Sequence, residues 1–170
     1  GGVLTALQIP EAHAHFIPLS ASACCDTNVC GGALIHLSAT GNATYPPTFV
    51  WGTGDSSSSI SPTVNATQTY LVTVTDWRGC HLLFALHVNV SAPQVTVRAS
   101  PDSTVVLGQT VQLTAVSDSA NAYHWSPTDG LSNADIYNPM AQPQTTTNYC
   151  VTVTDSLGCT AAAYRNIEIS

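Results

Sequence analysis

Short runs of alternating apolar and polar residues recur along this chain. In Val111, Leu113 and Ala115, and again in Tyr149, Val151 and Val153, the apolar side chains fall on every second position. That is the period of a strand with one buried face. Clusters of Gly, Pro, Asn and Asp interrupt these runs every ten or so residues, as turns between short strands do. No helical pattern extends beyond a turn, so the elements predicted are strands throughout.

The strands come in two sets. "TYLVTVTDWRGC" (69–80) matches "NYCVTVTDSLGC" (148–159) without a gap, 79 positions on. Trp51 in "FVWGTG" matches Trp125 in "YHWSPTDG" at an offset of 74, so copy two holds five more residues between its tryptophan and its "TVTD" strand. Upstream, "VCGGALIHLSA" (29–39) matches "VLGQTVQLTAV" (106–116), and each copy spans about 75 residues. A repeat of this length and strand density predicts two tandem β-sandwiches, each with a tryptophan plugging the space between its sheets. Copy two opens with a strand at 95–99, twelve residues before Leu107; twelve before Cys30 is Pro18, which makes "HFIPLSA" (15–21) the first strand of copy one. The expected domains are 15–92 and 93–170, with 1–14 as an extended segment that neither sandwich needs.

That segment is not a solvated linker. In "GGVLTALQIP", Val3, Leu7 and Ile9 lie on one face at period two, while Leu4 and Ala6 add apolar surface on the other. An extended apolar strand satisfies its backbone by joining a sheet edge and seating alternate side chains on the acceptor. The last strand of copy two carries Ala161, Ala162 and Ala163 where copy one has the bulky "HLLFALH". These alanines are the expected acceptor surface, on a neighbouring molecule. Head-to-tail contact of this kind produces a fibre unless the rotation closes a ring. Pairing of 1–14 within its own chain, or no pairing at all, are the alternatives.

Composition narrows the function. Three arginines and no lysine face ten acids, for a net charge of −7. Nucleic acid is thereby an unsuitable partner. The longest apolar run, "HLLFALHVNV" (81–90), is too short for a membrane helix and is broken by histidines, so no membrane insertion is expected. No basic leader stands at Gly1, which places any export signal outside this sequence. Six cysteines (Cys24, Cys25, Cys30, Cys80, Cys150, Cys159) form no CxxC pair, which favours disulfides in an oxidising compartment over zinc. Glu11, His13 and His15 share one side of an extended segment but find no further ligand, and Asp76, Asp129 and Asp155 occupy turn positions. No metal, cofactor or convergent catalytic group is expected, hence no enzyme.

Residues 123–161, "YHWSPTDGLSNADIYNPMAQPQTTTNYCVTVTDSLGCTA", resemble the PKD-like and immunoglobulin-like repeats of large secreted and cell-surface proteins of gliding bacteria. The shared pattern is W-S-P, G-L-S, N-P, T-T-T-x-Y, V-T-V-T-D and G-C. Copy one lacks the G-L-S and N-P segment, and the first fifteen residues match nothing. The resemblance implies an all-β fold of two tandem immunoglobulin-like (PKD-like) sandwiches, exported as a spacer, stalk or adhesive module. Since related repeats often carry a cysteine at both places, it also implies a Cys30–Cys80 disulfide, which would close a loop of about 50 residues and contribute roughly 4 kcal/mol. Copy two has Leu107 in place of Cys30, leaving Cys159 without that partner. Cys150 alternates with core residues and is expected to face outward, opposite Ala163. Cys24, Cys25, Cys150 and Cys159 then bond within one chain, bond between neighbouring chains, or stay free. Ser103, Ser119 and Ser156 sit in Asp-Ser-x triplets resembling O-glycan acceptors in secreted proteins of the same bacteria.

The function expected is a structural subunit of a secreted, pilus-like extracellular filament on the cell surface. Self is the partner, through Val3, Leu4, Leu7 and Ile9. The alternative is an adhesive or carbohydrate-binding module of a larger surface protein, with Trp77 or Tyr137 meeting a surface polysaccharide or a host protein.

Overall fold

The computed structural model describes residues 28–41, 46–76 and 79–170. Among them every regular element is a strand, and no helix is long and apolar enough to cross a membrane. The chain divides into two compact units, Gly1–Ser91 and Ala92–Ser170. The segments 1–14 and 15–21, with Cys24, Cys25 and Trp77, lie outside the described residues.

Unit 1 contains β1 (Asn28–Cys30), β2 (Ala33–Leu34), β3 (Leu37–Ser38), β4 (Thr48–Trp51), β5 (Ser59–Ile60), β6 (Thr63–Val64), β7 (Gln68–Thr75) and β8 (His81–Ser91). One sheet runs β1-β8-β7-β4, and the pairs β2-β6 and β3-β5 lie outside it. Unit 2 contains β9 (Thr96–Ser100), β10 (Thr104–Val105), β11 (Val111–Val116), β12 (Ala122–Ser126), β13 (Met140–Ala141), β14 (Thr147–Thr154) and β15 (Thr160–Ile169). Its sheets run β10-β15-β14-β12 and β13-β11-β9. In both units a short strand joins the last one in parallel, β1 on β8 and β10 on β15, and the remaining pairs are antiparallel. This is an immunoglobulin-like sandwich, twice.

The alternation read from the sequence fills each core. Tyr149, Val151 and Val153 of β14 have no exposed surface, and neither do Leu113 and Trp125. Trp51 and Trp125 each hold the indole Nε1 near a loop carbonyl, donating to the Ser57 oxygen at 2.9 Å and the Ile136 oxygen at 2.8 Å respectively. A buried indole nitrogen needs such a partner. The acceptor is six residues after Trp51 and eleven after Trp125, so the five extra residues of copy two are absorbed in that one loop.

The repeated T-D-x-x-G-C is a turn. The amides of Cys80 and Cys159 each donate to the Oδ1 of Asp76 and Asp155 at 2.9 Å, and Leu157 N adds a second bond to Asp155 at 2.8 Å. Gly79 and Gly158 both take φ of 85°, a left-handed geometry that favours glycine. The aspartates thus serve backbone amides.

Two registers differ from the sequence reading. The buried residues Ile35, Leu37 and Ala39 of copy one answer Val111, Leu113 and Ala115, an offset of 76 where the sequence match has 77. Gly32 rather than Gly31 takes the left-handed turn matched by Gly108, and a one-residue slip exchanges the two faces of a strand. Cys150 pairs with Tyr164, and Ala163 pairs with Val151.

Candidate functional site

β15 is paired along the whole of one edge and, among the described residues, only at the end of the other. Along its length it pairs with β14, from Thr154↔Thr160 to Thr147↔Ile167. On the other side β10 meets only Glu168 and Ile169, where the amides of Glu168 and Ser170 donate to the oxygens of Ser103 (2.7 Å) and Val105 (2.9 Å). Strand periodicity turns the backbone groups of Ala162, Tyr164 and Asn166 toward the same edge. Among the described residues nothing pairs with them.

Strand parity divides the three expected acceptor alanines. Ala161 and Ala163 face inward and pack against the core cluster of unit 2, whereas Ala162 is exposed on the outer face. The inward row of β15 is Ala161, Ala163, Arg165 and Ile167; at the equivalent places β8 has Leu82, Phe84, Leu86 and Val88. In unit 1, Phe84 and Leu86 are only 3% and 2% exposed. In unit 2 the two alanines and Arg165 remain half-buried although they point at the core. The other lip of this flank is β9, whose Val97 and Ala99 are likewise half-buried against the same cluster. Small, half-buried apolar side chains beside a strand edge with unpaired backbone are what an incoming strand requires.

At one end of this flank β10 parts from β15. Ser103, Thr104, Tyr164, Arg165, Asn166 and Glu168 line a polar cleft there of about 330 Å³. Asn166 Nδ2 donates to Glu168 Oε1 at 3.4 Å. The Nε of Arg165 is buried and has no hydrogen-bond partner. Beneath the sheet, Tyr149 donates its hydroxyl to the Asp129 carbonyl at 2.9 Å; burial, and secondarily the Asp129 charge, raise its pKa above the ordinary 10.0. Arg165 escaped the sequence reading, although the ungapped repeat sets it against Leu86.

Cys30 and Cys159 are both disulfide-bonded, while Cys80 and Cys150 are free thiols. The expected Cys30–Cys80 bond is therefore not formed, and Cys159, expected without its partner, is bonded. The reason is strand direction. Cys30 pairs with Ser91 at the far end of β8, whereas Cys80 precedes its first residue, and such a strand spans roughly 35 Å where a disulfide tolerates Cα separations of about 7 Å at most. Cys150 faces away from the core as expected, between Ser126 and Tyr164 on the outer face.

The remaining expected sites are scattered. Ser119 and Ser156 are exposed and Ser103 is half-buried in the cleft wall. Tyr137 is 53% exposed, with its ring 6.2 Å from that of Tyr123. Among the described residues no three metal-ligating side chains converge; Glu11, His13 and His15 fall outside them.

No family model matches the chain, and no curated protein matches it. Solved structures do. The three N-terminal domains of the bacteriophage RB49 outer capsid protein Hoc are 18% identical, with a TM-score of 0.41 over 84% of this chain and 56% of that one. The N-terminal four Ig domains of Dscam1 isoform 6.9 are 13% identical, with a TM-score of 0.36 over 84% of this chain and 43% of that one. The Bacteroides ovatus mixed-linkage glucan utilization protein SGBP-B, solved with a heptasaccharide, is 15% identical, with a TM-score of 0.33 over 100% of this chain and 48% of that one. This chain spans about half the length of each. By its own sheet order it is a tandem of two immunoglobulin-like β-sandwiches.

Proposed function

We propose that this protein is the structural subunit of an extracellular filament, a homopolymer in which residues 1–14 of one copy add a strand to unit 2 of the next. The observation that carries this reading is the edge of β15 left unpaired among the described residues, flanked by Ala161 and Ala163 where β8 has Leu82 and Phe84. An apolar segment with Val3, Leu7 and Ile9 on one face supplies side chains of the size those alanines omit. Two disulfide-bonded cysteines and an immunoglobulin-like fold fit an extracellular location, and the repeat resemblance fits a secreted surface appendage. The reading assigns no catalysis, cofactor or metal. Negative-stain microscopy of the purified full chain tests it. The full chain forms regular filaments, and deletion of residues 1–10 leaves folded monomers; filaments that persist after the deletion refute strand donation.

A second reading, an adhesive module for surface polysaccharide, draws on Tyr137. An exposed ring set against Tyr123 offers a stacking platform for a sugar. Glycan binding by Δ1–10 monomers, lost on Tyr137→Ala, supports that reading; an empty glycan array dismisses it.

A further inference from the structure

Arg165 occupies a place built for a leucine. In the ungapped repeat it corresponds to Leu86, which is 2% exposed in the core of unit 1. Its Nε is buried without a hydrogen-bond partner, and among the described residues it makes no ion pair. Leaving a guanidinium nitrogen desolvated and unmatched is costly. Glu168, the carboxylate in the same cleft, belongs to the opposite face of β15 by strand parity. Among the described residues, then, the Arg165 Nε has no acceptor and the guanidinium no carboxylate partner.

We infer that Arg165 binds the carboxylate of Glu11 from a second copy and so pins the register of an added strand that runs parallel to β15. This rests on the filament reading and gives it a direction and a register. Residues 1–14 contain a single acid, Glu11, and it shares one face with Val3, Leu7 and Ile9. Setting Glu11 beside Arg165 in a parallel strand brings Ile9 onto Ala163 and Leu7 onto Ala161, so one alignment satisfies the charge and both apolar positions. The antiparallel alternative with the same charge contact sends Ile9 to Ile167 and Leu7 to Ile169, and Ile169 is already paired by β10.

Hydrogen bonding agrees. In a parallel ladder the residues of the incoming strand that bond to β15 are those paired between its edge-facing residues Ala162, Tyr164 and Asn166. These are Leu7, Ile9 and Glu11. Pro10 then stands opposite Tyr164 with its nitrogen directed away from the sheet, where its missing N–H removes no ladder bond. Parallel is also the sense of β10 on β15 and of β1 on β8. The added strand ends at the fork, because the Ser103 oxygen already accepts the Glu168 amide.

Charge reversal in the full chain tests the pin, read as the critical concentration for filament growth by sedimentation, with thermal unfolding to verify each fold. Glu11→Arg alone and Arg165→Glu alone each raise the critical concentration at least about tenfold, and the double reversal returns it to within roughly threefold of the parent. Should Arg165→Glu not fold, Glu11→Gln and Arg165→Gln give the same comparison: each weakens assembly by about tenfold and the double variant by no more than either alone. Single variants that assemble like the parent, or a double reversal no better than the singles, overturn the pin while strand donation stands if deletion of residues 1–10 still abolishes filaments. Filaments that survive that deletion overturn both.

Discussion

Replacing Ala163 by phenylalanine gives β15 the side chain that β8 holds at the equivalent place. Ala163 pairs with Val151 as Phe84 pairs with Val72, and Phe84 is 3% exposed in its own core. The ring is expected to turn inward in the same way and to cover the flank between β15 and β9. An incoming Ile9 loses its seat. Burying one aliphatic side chain of this size is worth about 2 kcal/mol, so Ala163→Phe raises the critical concentration of assembly by about thirtyfold. Unit 2 itself is not weakened by more than about 1 kcal/mol, because the half-buried edge has room that a closed core lacks. The assay is sedimentation of assembled protein across a concentration series, beside a denaturant unfolding curve of the same variant. Undiminished assembly by a folded Ala163→Phe protein would refute the Ala161–Ala163 flank as the acceptor.

Three further outcomes follow from unit 2. Asp155 is 6% exposed and accepts from the amides of Leu157 and Cys159; Asp155→Ala strands both donors and costs about 2–3 kcal/mol, a fall of roughly 10–20 °C in the melting of a unit this size, readable by calorimetry. Gly130 takes φ of +77°, and a Cβ there would meet the Gln142 carbonyl oxygen at 2.7 Å, so Gly130→Ala destabilises by about 2–3 kcal/mol in the same experiment; an unchanged transition contradicts the close approach. Because the folded state raises the Tyr149 pKa above 10.0, it holds that proton more tightly than the unfolded chain does. Its contribution to stability is complete below pH 10.0 and is lost as pH rises through the folded value. Denaturant midpoints therefore decline on the alkaline side, and Tyr149→Phe flattens that decline.

Much of this molecule was legible because strand parity is local. Tyr149, Val151 and Val153 announce an inward face at period two, and an ungapped copy 79 residues earlier repeats it; both tryptophans lie where that pattern sets them. What failed was non-local. Gly31 and Gly32 are adjacent, and only the backbone reveals that Gly32 makes the left-handed turn, which shifts the match by one residue and exchanges faces. The cysteines required knowing that β1 runs parallel to the end of β8, a fact carried by pairing and absent from spacing. The alanines were visible as small, but their division between two faces depends on where β15 begins. Arg165 was within reach: an arginine matched to a core leucine in a repeat is a polar intrusion that calls for a partner.

Strand addition between copies is tested most directly by solid-state NMR on filaments grown from an equal mixture of ¹³C-labelled and ¹⁵N-labelled subunits. The account predicts ¹⁵N–¹³C transfer in the mixed sample between backbone amides of Leu7, Ile9 and Glu11 and carbonyls of Thr160, Ala162 and Tyr164, which only neighbouring copies can produce. Those contacts appearing in uniformly double-labelled filaments yet vanishing from the mixture would place the strand on its own subunit and contradict it.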